Sequence, residues 1–315
     1  KLKYGYTGRK TMIRINGIRI SLDEDESLLK TKAAKLLRIN EKYINKLTIF
    51  KKSVDARKKD DIHFSYAVDV ELGLDEEQVL SKCKSPKASA VKPYHYELPE
   101  NKRNSEFRPV IVGFGPAGML AGLILAEAGL QPIIFERGKN IDDRQKDVND
   151  FWQNRRLNEE SNVQFGEGGA GTFSDGKLTT GIKSPFIRKV LDELYEAGAP
   201  EEILYSSKPH IGTDRLAIVV KNIRKKIESL GGEVRLECKV EKLIVYNSFV
   251  QGLTYSCRGE LFDMEADSVI MAIGHSARDT VEMLYNLGCE IIQKPFSVGA
   301  RIEHPQKLIN KAQYG

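Results

Sequence analysis

Apolar and polar positions change period several times along the chain, and each change marks an expected element. Residues 12–20, MIRINGIRI, alternate apolar and basic positions around Asn16-Gly17. A hairpin would leave arms of only about three residues, so the pattern predicts one strand with a bulge at the glycine. The acidic cluster at 23–26 suits a helix start, and Leu28, Leu29, Ala33, Leu36 and Leu37 follow at helical spacing. Residues 47–54 and 62–70 read as strands joined by a charged loop, 75–81 as a short helix, and 94–98 as a strand. The order β-α-β-β-α-β predicts a small α+β, ferredoxin-like domain over residues 12–98. Residues 99–107, PENKRNSEF, are polar without an apolar period, as a linker is.

Beyond the linker the pattern becomes that of strands alternating with helices. Val110–Val112 is a short apolar strand, a helix of small residues runs to Ala128 with Gly129 to stop it, and the apolar run 132–135 ends in Glu136. Helices are expected at 142–153, 184–197 and 215–230, the last capped by Thr213 or Asp214 and stopped at Gly231-Gly232. Residues 233–240, 242–246, 250–255 and 261–265 form a run of short alternating strands. The near-continuous apolar run 268–273 closes on Gly274, which predicts a strand buried on both faces at the centre of a parallel sheet. A helix over 277–286 follows. The fold class is therefore α/β, a Rossmann-like domain with a β-meander over residues 108–315.

Two stretches carry candidate chemistry. Gly113-Phe114-Gly115-Pro116-Ala117-Gly118 has G-x-G-x-x-G spacing between a strand and a helix. Gly113 allows the tight turn, Gly115 lets backbone N–H groups approach a pyrophosphate, and Gly118 permits close helix–strand packing. Glu136, at the end of the second strand, is placed to accept hydrogen bonds from ribose hydroxyls. The second stretch, residues 161–178, interleaves Gly166, Gly168, Gly169, Gly171 and Gly176 with Phe165, Ala170, Phe173, Ser174, Asp175 and Lys177. So many glycines build no core element; they let backbone approach a ligand and present N–H groups in anion-binding concavities. No triad, metal cluster or carboxylate pair stands out, so catalytic side chains stay unassigned. His210 and His275 are candidate proton relays, more in keeping with structural or exposed roles, and Lys177 is a candidate for stabilising negative charge.

Composition changes little: 315 residues, 41% hydrophobic and 30% charged, are ordinary for about two globular domains. No apolar run reaches the ~18 residues of a membrane span, and without a secretory leader the cytoplasm is the expected compartment. The net charge of +5 is uneven, with 17 Lys/Arg against 8 Asp/Glu in residues 1–62. That is a mild basic face, too weak alone to claim nucleic acid. Cys83, Cys238, Cys257 and Cys289 lie far apart in sequence, which argues against a zinc site or a redox-active disulfide, and Cys238 reads as buried packing. Residues 1–11 precede Met12, the first plausible start, and the chain stops in a helical pattern at 308–315; a fragment cut at both ends is expected.

These residues together resemble the glutathione-reductase-like FAD/NAD(P)-binding flavoprotein superfamily, and more narrowly bacterial uncharacterised FAD-dependent dehydrogenases. The likeness rests on VGFGPAGMLAG followed by IIFERG, on NVQFGEGGAGTFSDGKL, and on GGEVRLECKV with ADSVIMAIG. It implies FAD as cofactor, with Arg137 beside Glu136, backbone near the adenine at Val240, and the Ala272-Ile273-Gly274 turn approaching the cofactor. It implies hydride chemistry on a small-molecule substrate, with an NAD(P)H donor visiting transiently. It also implies that the rest of a substrate domain and a final glycine motif lie downstream, so the chain alone would hold FAD weakly. Two alternatives stay open: a simple NAD-dependent dehydrogenase, and an RNA-associated protein using the basic N-terminal domain.

Overall fold

The computed structural model describes residues 11–100, 102–174 and 176–315. They form two compact units, one grouping residues up to His95 with Glu201–Pro209 and Phe296–Gly315, the other made of Tyr96–Pro200 and His210–Pro295.

The first unit runs β1 (Met12–Ser21), α1 (Leu28–Leu37), β2 (Ile44–Asp55), β3 (His63–Leu72), α2 (Glu76–Cys83) and β4 (Ala88–Val91). The four strands form one antiparallel sheet in the order β2-β3-β1-β4. The bulge in β1 has a clear use. Pairing with β3 shifts between Asn16 and Ile18, and Gly17 takes φ 70°. That extra residue returns Ile18 and Ile20 to the face already used by Ile13 and Ile15, so all four enter one core with Leu29, Leu37 and Val79. The acidic cluster does not sit on the helix dipole as expected. Ser27 is the N-cap, Glu24 accepts from Ser21 N and Lys32, Asp25 accepts from Ser27 N, and Glu26 accepts from Lys52 and Tyr66. The last strand also differs: residues 94–98 form no ladder, and β4 lies earlier, because the turn at Ser85 aims Ala88–Val91 back along β1. The helix α8 (Gln306–Tyr314) groups with this unit.

The second unit is built on a parallel sheet of β5 (Val110–Val112), β6 (Ile133–Glu136), β7 (Glu233–Leu236) and β11 (Val269–Met271), in the order β11-β5-β6-β7. The helix α3 (Pro116–Glu127) links β5 to β6, followed by α4 (Ile141–Asn154), α5 (Phe186–Glu196) and α6 (Thr213–Ser229). Three antiparallel strands, β8 (Cys238–Tyr246), β9 (Phe249–Cys257) and β10 (Glu260–Glu265), form the meander before β11 and α7 (Arg278–Asn286). Val110, Val112, Ile133 and Phe135 face the meander residues Val240, Leu243 and Leu253 in one core. On the other side α3 lies close enough that a Cβ on Gly122 would strike Ile134 and meet Ile227 of α6. Sheet strands buried on both faces explain the unbroken apolar runs of β5 and β6.

Three expectations change here. β11 pairs with β5 alone, at the sheet's margin, and Ile270 is 41% exposed, so this run is not the buried centre. The helix α6 is preceded by Gly212 at φ 91° with no side-chain cap from Thr213 or Asp214. The strand expected at 233–240 breaks at Glu237, φ 57°, where the chain leaves the parallel sheet and begins the meander. Within the polar stretch, residues 102–107 are irregular and tied down through Arg103 and Ser105 to Asp267. Among the described residues no helix is long and apolar enough to cross a membrane.

Candidate functional site

The site begins where β5 ends. Gly113 turns the chain at φ 102°, where any Cβ would press on the Ala272 carbonyl, and Gly115 is the N-cap from which α3 starts at Pro116. The first N–H groups of such a helix have no intrahelical acceptor and carry its positive dipole end. The second glycine-rich stretch packs directly onto this turn. Gly168 N donates to Phe114 O at 2.9 Å, and a Cβ on Gly169 would stand 2.7 Å from Gly115 Cα. Two motifs far apart in sequence thus share one floor.

Three buried charged side chains hold that floor. The Glu136 carboxylate accepts from Phe114 N at 2.8 Å through Oε2, and from Gly138 N at 2.9 Å and Gly166 N at 2.8 Å through Oε1. It therefore joins the first turn, the Glu-Arg-Gly turn and the second loop. Arg144 on α4, wholly buried, spends its guanidinium on backbone carbonyls: Asn162 and Glu167 at 2.8 and 2.7 Å, Gly169 at 2.9 Å, Val163 at 3.1 Å and Gly166 at 3.3 Å. Burial pulls its pKa down to about 10, against the pull of Glu136 and Glu167, so it remains protonated at neutral pH. Glu167, also fully buried, accepts from Arg224 Nε at 2.7 Å and from Ile141 N at 2.8 Å, at the positive end of α4.

Above this floor opens a cleft of about 450 Å³, within the range of small-molecule and cofactor sites. It gathers most of the expected residues: Gly113, Gly115, Pro116, Ala117, Glu136, Arg137, Gly169, Ala170, Gly171, Val240, Ala272 and Gly274 line it. Others stand behind or away from it. Gly118 packs beneath α3, where a Cβ would collide with the Gly113 carbonyl, and Gly168 lies against Thr172 and Val220. Ser174 turns its hydroxyl onto the Gly171 carbonyl at 2.6 Å, and Lys177 pairs through its backbone with His210. None of these four lines the cleft, nor does His210, whereas the exposed His275 does. Asp175 lies outside the described residues.

The sequence reading missed Cys238, Lys239 and Thr280 on the walls, where Phe165 of the second stretch also stands, and Arg144 beneath. Lys239 joins a rim network. Arg137 pairs with Glu160 at 2.5 Å and Asp279 at 2.9 Å, sits over the Phe165 ring, and shares Asp279 with Lys239 at 3.0 Å. Burial works against these charges, yet the partners outweigh it. Arg137 is held above its ordinary pKa and Asp279 well below the usual carboxylate range. The sign follows for stability. A depressed carboxylate stabilises the fold above its unfolded pKa, near 3.9, and loses that contribution as pH falls through the folded value. The Asp279→Asn variant is expected to melt below the parent at pH 7, the gap closing as the buffer is taken below about pH 4. Thermal melts across that range check it; a gap independent of pH would show that Asp279 acts through packing alone.

Cys238 and Cys257 are joined in a disulfide. Cys238 is buried in the core of the second unit, as its place in the alternating pattern suggests, and its bond to Cys257 is a pairing that the wide spacing does not disclose. The β8–β9 register sets the two residues directly opposite, with Cα atoms 4.3 Å apart.

Similarity to known proteins has three parts. Residues 12–71 match the family described as Domain of unknown function (DUF8436). An uncharacterized protein of Clostridium beijerinckii is 47% identical over 304 residues, 96% of this chain, which spans 56% of that protein's length. Among solved structures, Thermovibrio ammonificans THI4 is similar over 58% of this chain and 63% of its own, at 20% identity and a TM-score of 0.39. The glycerol-3-phosphate dehydrogenase of Bacillus halodurans, complexed with FAD, is similar over 56% and 35%, at 15% identity and a TM-score of 0.36.

Proposed function

We propose that the second unit binds FAD and belongs to a flavin-dependent oxidoreductase acting on a small molecule. One observation carries this: the G-x-G-x-x-G turn and the second glycine loop meet backbone to backbone at the start of α3, leaving a cleft edged by Glu136 and Arg137. Such a floor is chemically suited to a pyrophosphate, because exposed N–H groups and a helix N-terminus face it and no side chain at Gly115 fills it. Gly113 to Ala117 would hold the pyrophosphate, Glu136 and Val240 the adenosine, and Gly169 to Gly171 with Ala272 and Gly274 the remaining length. The flavin would supply the hydride chemistry; the chain binds, orients and shields it. A nicotinamide donor reaching it transiently completes the reading. The meander between β7 and β11 and the second loop weigh against a simple NAD-dependent dehydrogenase. For the first unit, the sheet order β2-β3-β1-β4 with both helices in one core supports a ferredoxin-like sandwich.

Titration of the purified chain with FAD and with NADH, followed by flavin absorbance and calorimetry, tests the assignment. FAD should bind and NADH alone should not; the reverse order of affinities would overturn it. Glu136→Ala is expected to weaken FAD binding by about 1.5–3 kcal/mol, the scale of a charged hydrogen bond. It should also lower the melting temperature, since three amides lose their acceptor. An unchanged dissociation constant would show that the carboxylate serves the floor and never the ligand.

A further inference from the structure

The cysteine pair lies at a place where its state can be felt in the cleft. Cys238 is the first residue of β8 and is buried at 4% exposure. Cys238, Lys239 and Val240 in succession form one wall of the cleft. This wall starts immediately after Glu237, the left-handed residue at which the chain swings out of the parallel sheet. Its position therefore depends on what fixes the first residues of β8. Hydrogen bonds to β9 do so in part, and the pairing slips by one residue between Val240 and Lys242, so the ladder is interrupted beside the cleft. The bond from Glu237 N to the Gly138 carbonyl and the pairing of Lys239 with Asp279 add to this, and the covalent link to Cys257 is the one constraint at the root of the wall that a reductant can remove. On the far side Cys257 is half-buried and is followed by the exposed turn Arg258-Gly259. Cys238 is thus the enclosed member of the pair, and Cys257, at the edge of the same core beside an exposed turn, is the more accessible one.

We propose that Cys238 and Cys257 are a reversible thiol–disulfide centre, reduced by a dithiol, whose state sets the affinity of the cleft for an adenine dinucleotide. This rests on the nucleotide reading of the cleft. A thiolate of the dithiol attacks Cys257 Sγ; the S–S bond breaks, and Cys238 leaves as a thiolate and takes up a proton. The second thiol of the reductant then attacks the mixed disulfide, closing the reductant's own disulfide and releasing Cys257, which takes the second proton. Two electrons and two protons pass from reductant to protein. Freed from β9, the root of β8 samples more positions, and a nucleotide must order the wall again on binding. The oxidised protein is therefore the tighter binder. By reciprocity, the nucleotide must favour the disulfide by the same factor.

The test uses ADP, which carries the adenosine and pyrophosphate without the flavin ring. Calorimetry on the oxidised and on the dithiothreitol-reduced chain should give affinities differing by about tenfold. In parallel, the pair is titrated in oxidised and reduced dithiothreitol, and trapped thiols are counted by alkylation and mass. A Cys289→Ser background removes the exposed free thiol, and Cys83 is buried in the other unit. Saturating ADP should lower the midpoint by about 30 mV, the equivalent of tenfold for a two-electron couple. Cys257→Ser should bind ADP like the reduced protein and ignore the reductant. Equal affinities in the two states, or a midpoint that ADP leaves in place, would overturn the coupling. So would a pair that cannot be reduced without unfolding, read by circular dichroism. If neither state binds ADP, the nucleotide reading falls and the coupling with it. A reversible titration with one affinity throughout removes the coupling alone.

Discussion

Replacement of Gly115 by valine is expected to abolish FAD binding while leaving the second unit folded. Gly115 has φ −77°, an ordinary conformation, and a Cβ there would meet only Gly169 Cα, at 3.7 Å. The backbone therefore tolerates the change. Loss of a glycine N-cap costs at most about 1 kcal/mol. The added methyls project into the cleft, over the floor where the pyrophosphate is to lie. A fall of at least a hundredfold in affinity, about 2.7 kcal/mol, is the expected reading in a titration. The neighbouring glycine gives the contrast. Gly169 has φ 67°, and its Cβ would press into Gly115 Cα, so Gly169→Ala should lose stability and binding together. If Gly115→Val holds FAD with parental affinity, the pyrophosphate lies elsewhere and the assignment of this turn fails.

Arg144 governs the largest expected loss of stability. Arg144→Leu removes the donors to five buried or partly buried carbonyls and leaves Glu136 and Glu167 without the cation between them. Breaking a buried charged group's contacts costs about 3–5 kcal/mol. In a unit of this size that corresponds to a fall in melting temperature on the order of 10 °C. Arg144→Lys keeps the charge but concentrates three donors on one nitrogen, so it should recover only part of the loss. Differential scanning calorimetry of both variants decides this; a melt of Arg144→Leu within about 2 °C of the parent would mean that the loop carries its own shape.

Much of the architecture could be read from local pattern because its determinants are local. Glycine stops, the change of period at Val110 and the bulge at Gly17 each act within a few residues. That the first glycine motif, Glu136 and the second loop belong together was legible from their residue types, and the structure brings them to one cleft. What escaped was whatever depends on a neighbour distant in sequence. Ile270 looked central because an apolar run says nothing about which strands flank it. Arg144 sits in DDRQKDVND, a stretch that reads as a solvated helix face, although Ile141, Arg144 and Val148 turn the same side inward. The Cys238–Cys257 pair required the β8–β9 register, which a spacing of 19 residues does not disclose. The strand at 94–98 was misplaced because the turn at Ser85, not apolar pattern, decides where the chain rejoins the sheet.

The hydrogen bond from Gly168 to Phe114 has a consequence in time. When residues 110–138 first emerge during synthesis, they hold the complete first motif but have no floor beneath it. That floor arrives with the second loop, whose Gly168 lies 54 residues beyond Phe114, after a long loop has been closed at an entropic cost. β7 and β11 must then find their partners across still greater separations, and such non-local pairings are slow to form. The cleft is therefore a late product of folding. Any ligand of this cleft meets no site during synthesis until the sheet is nearly whole, and would act afterwards, by drawing the last equilibrium toward the native state.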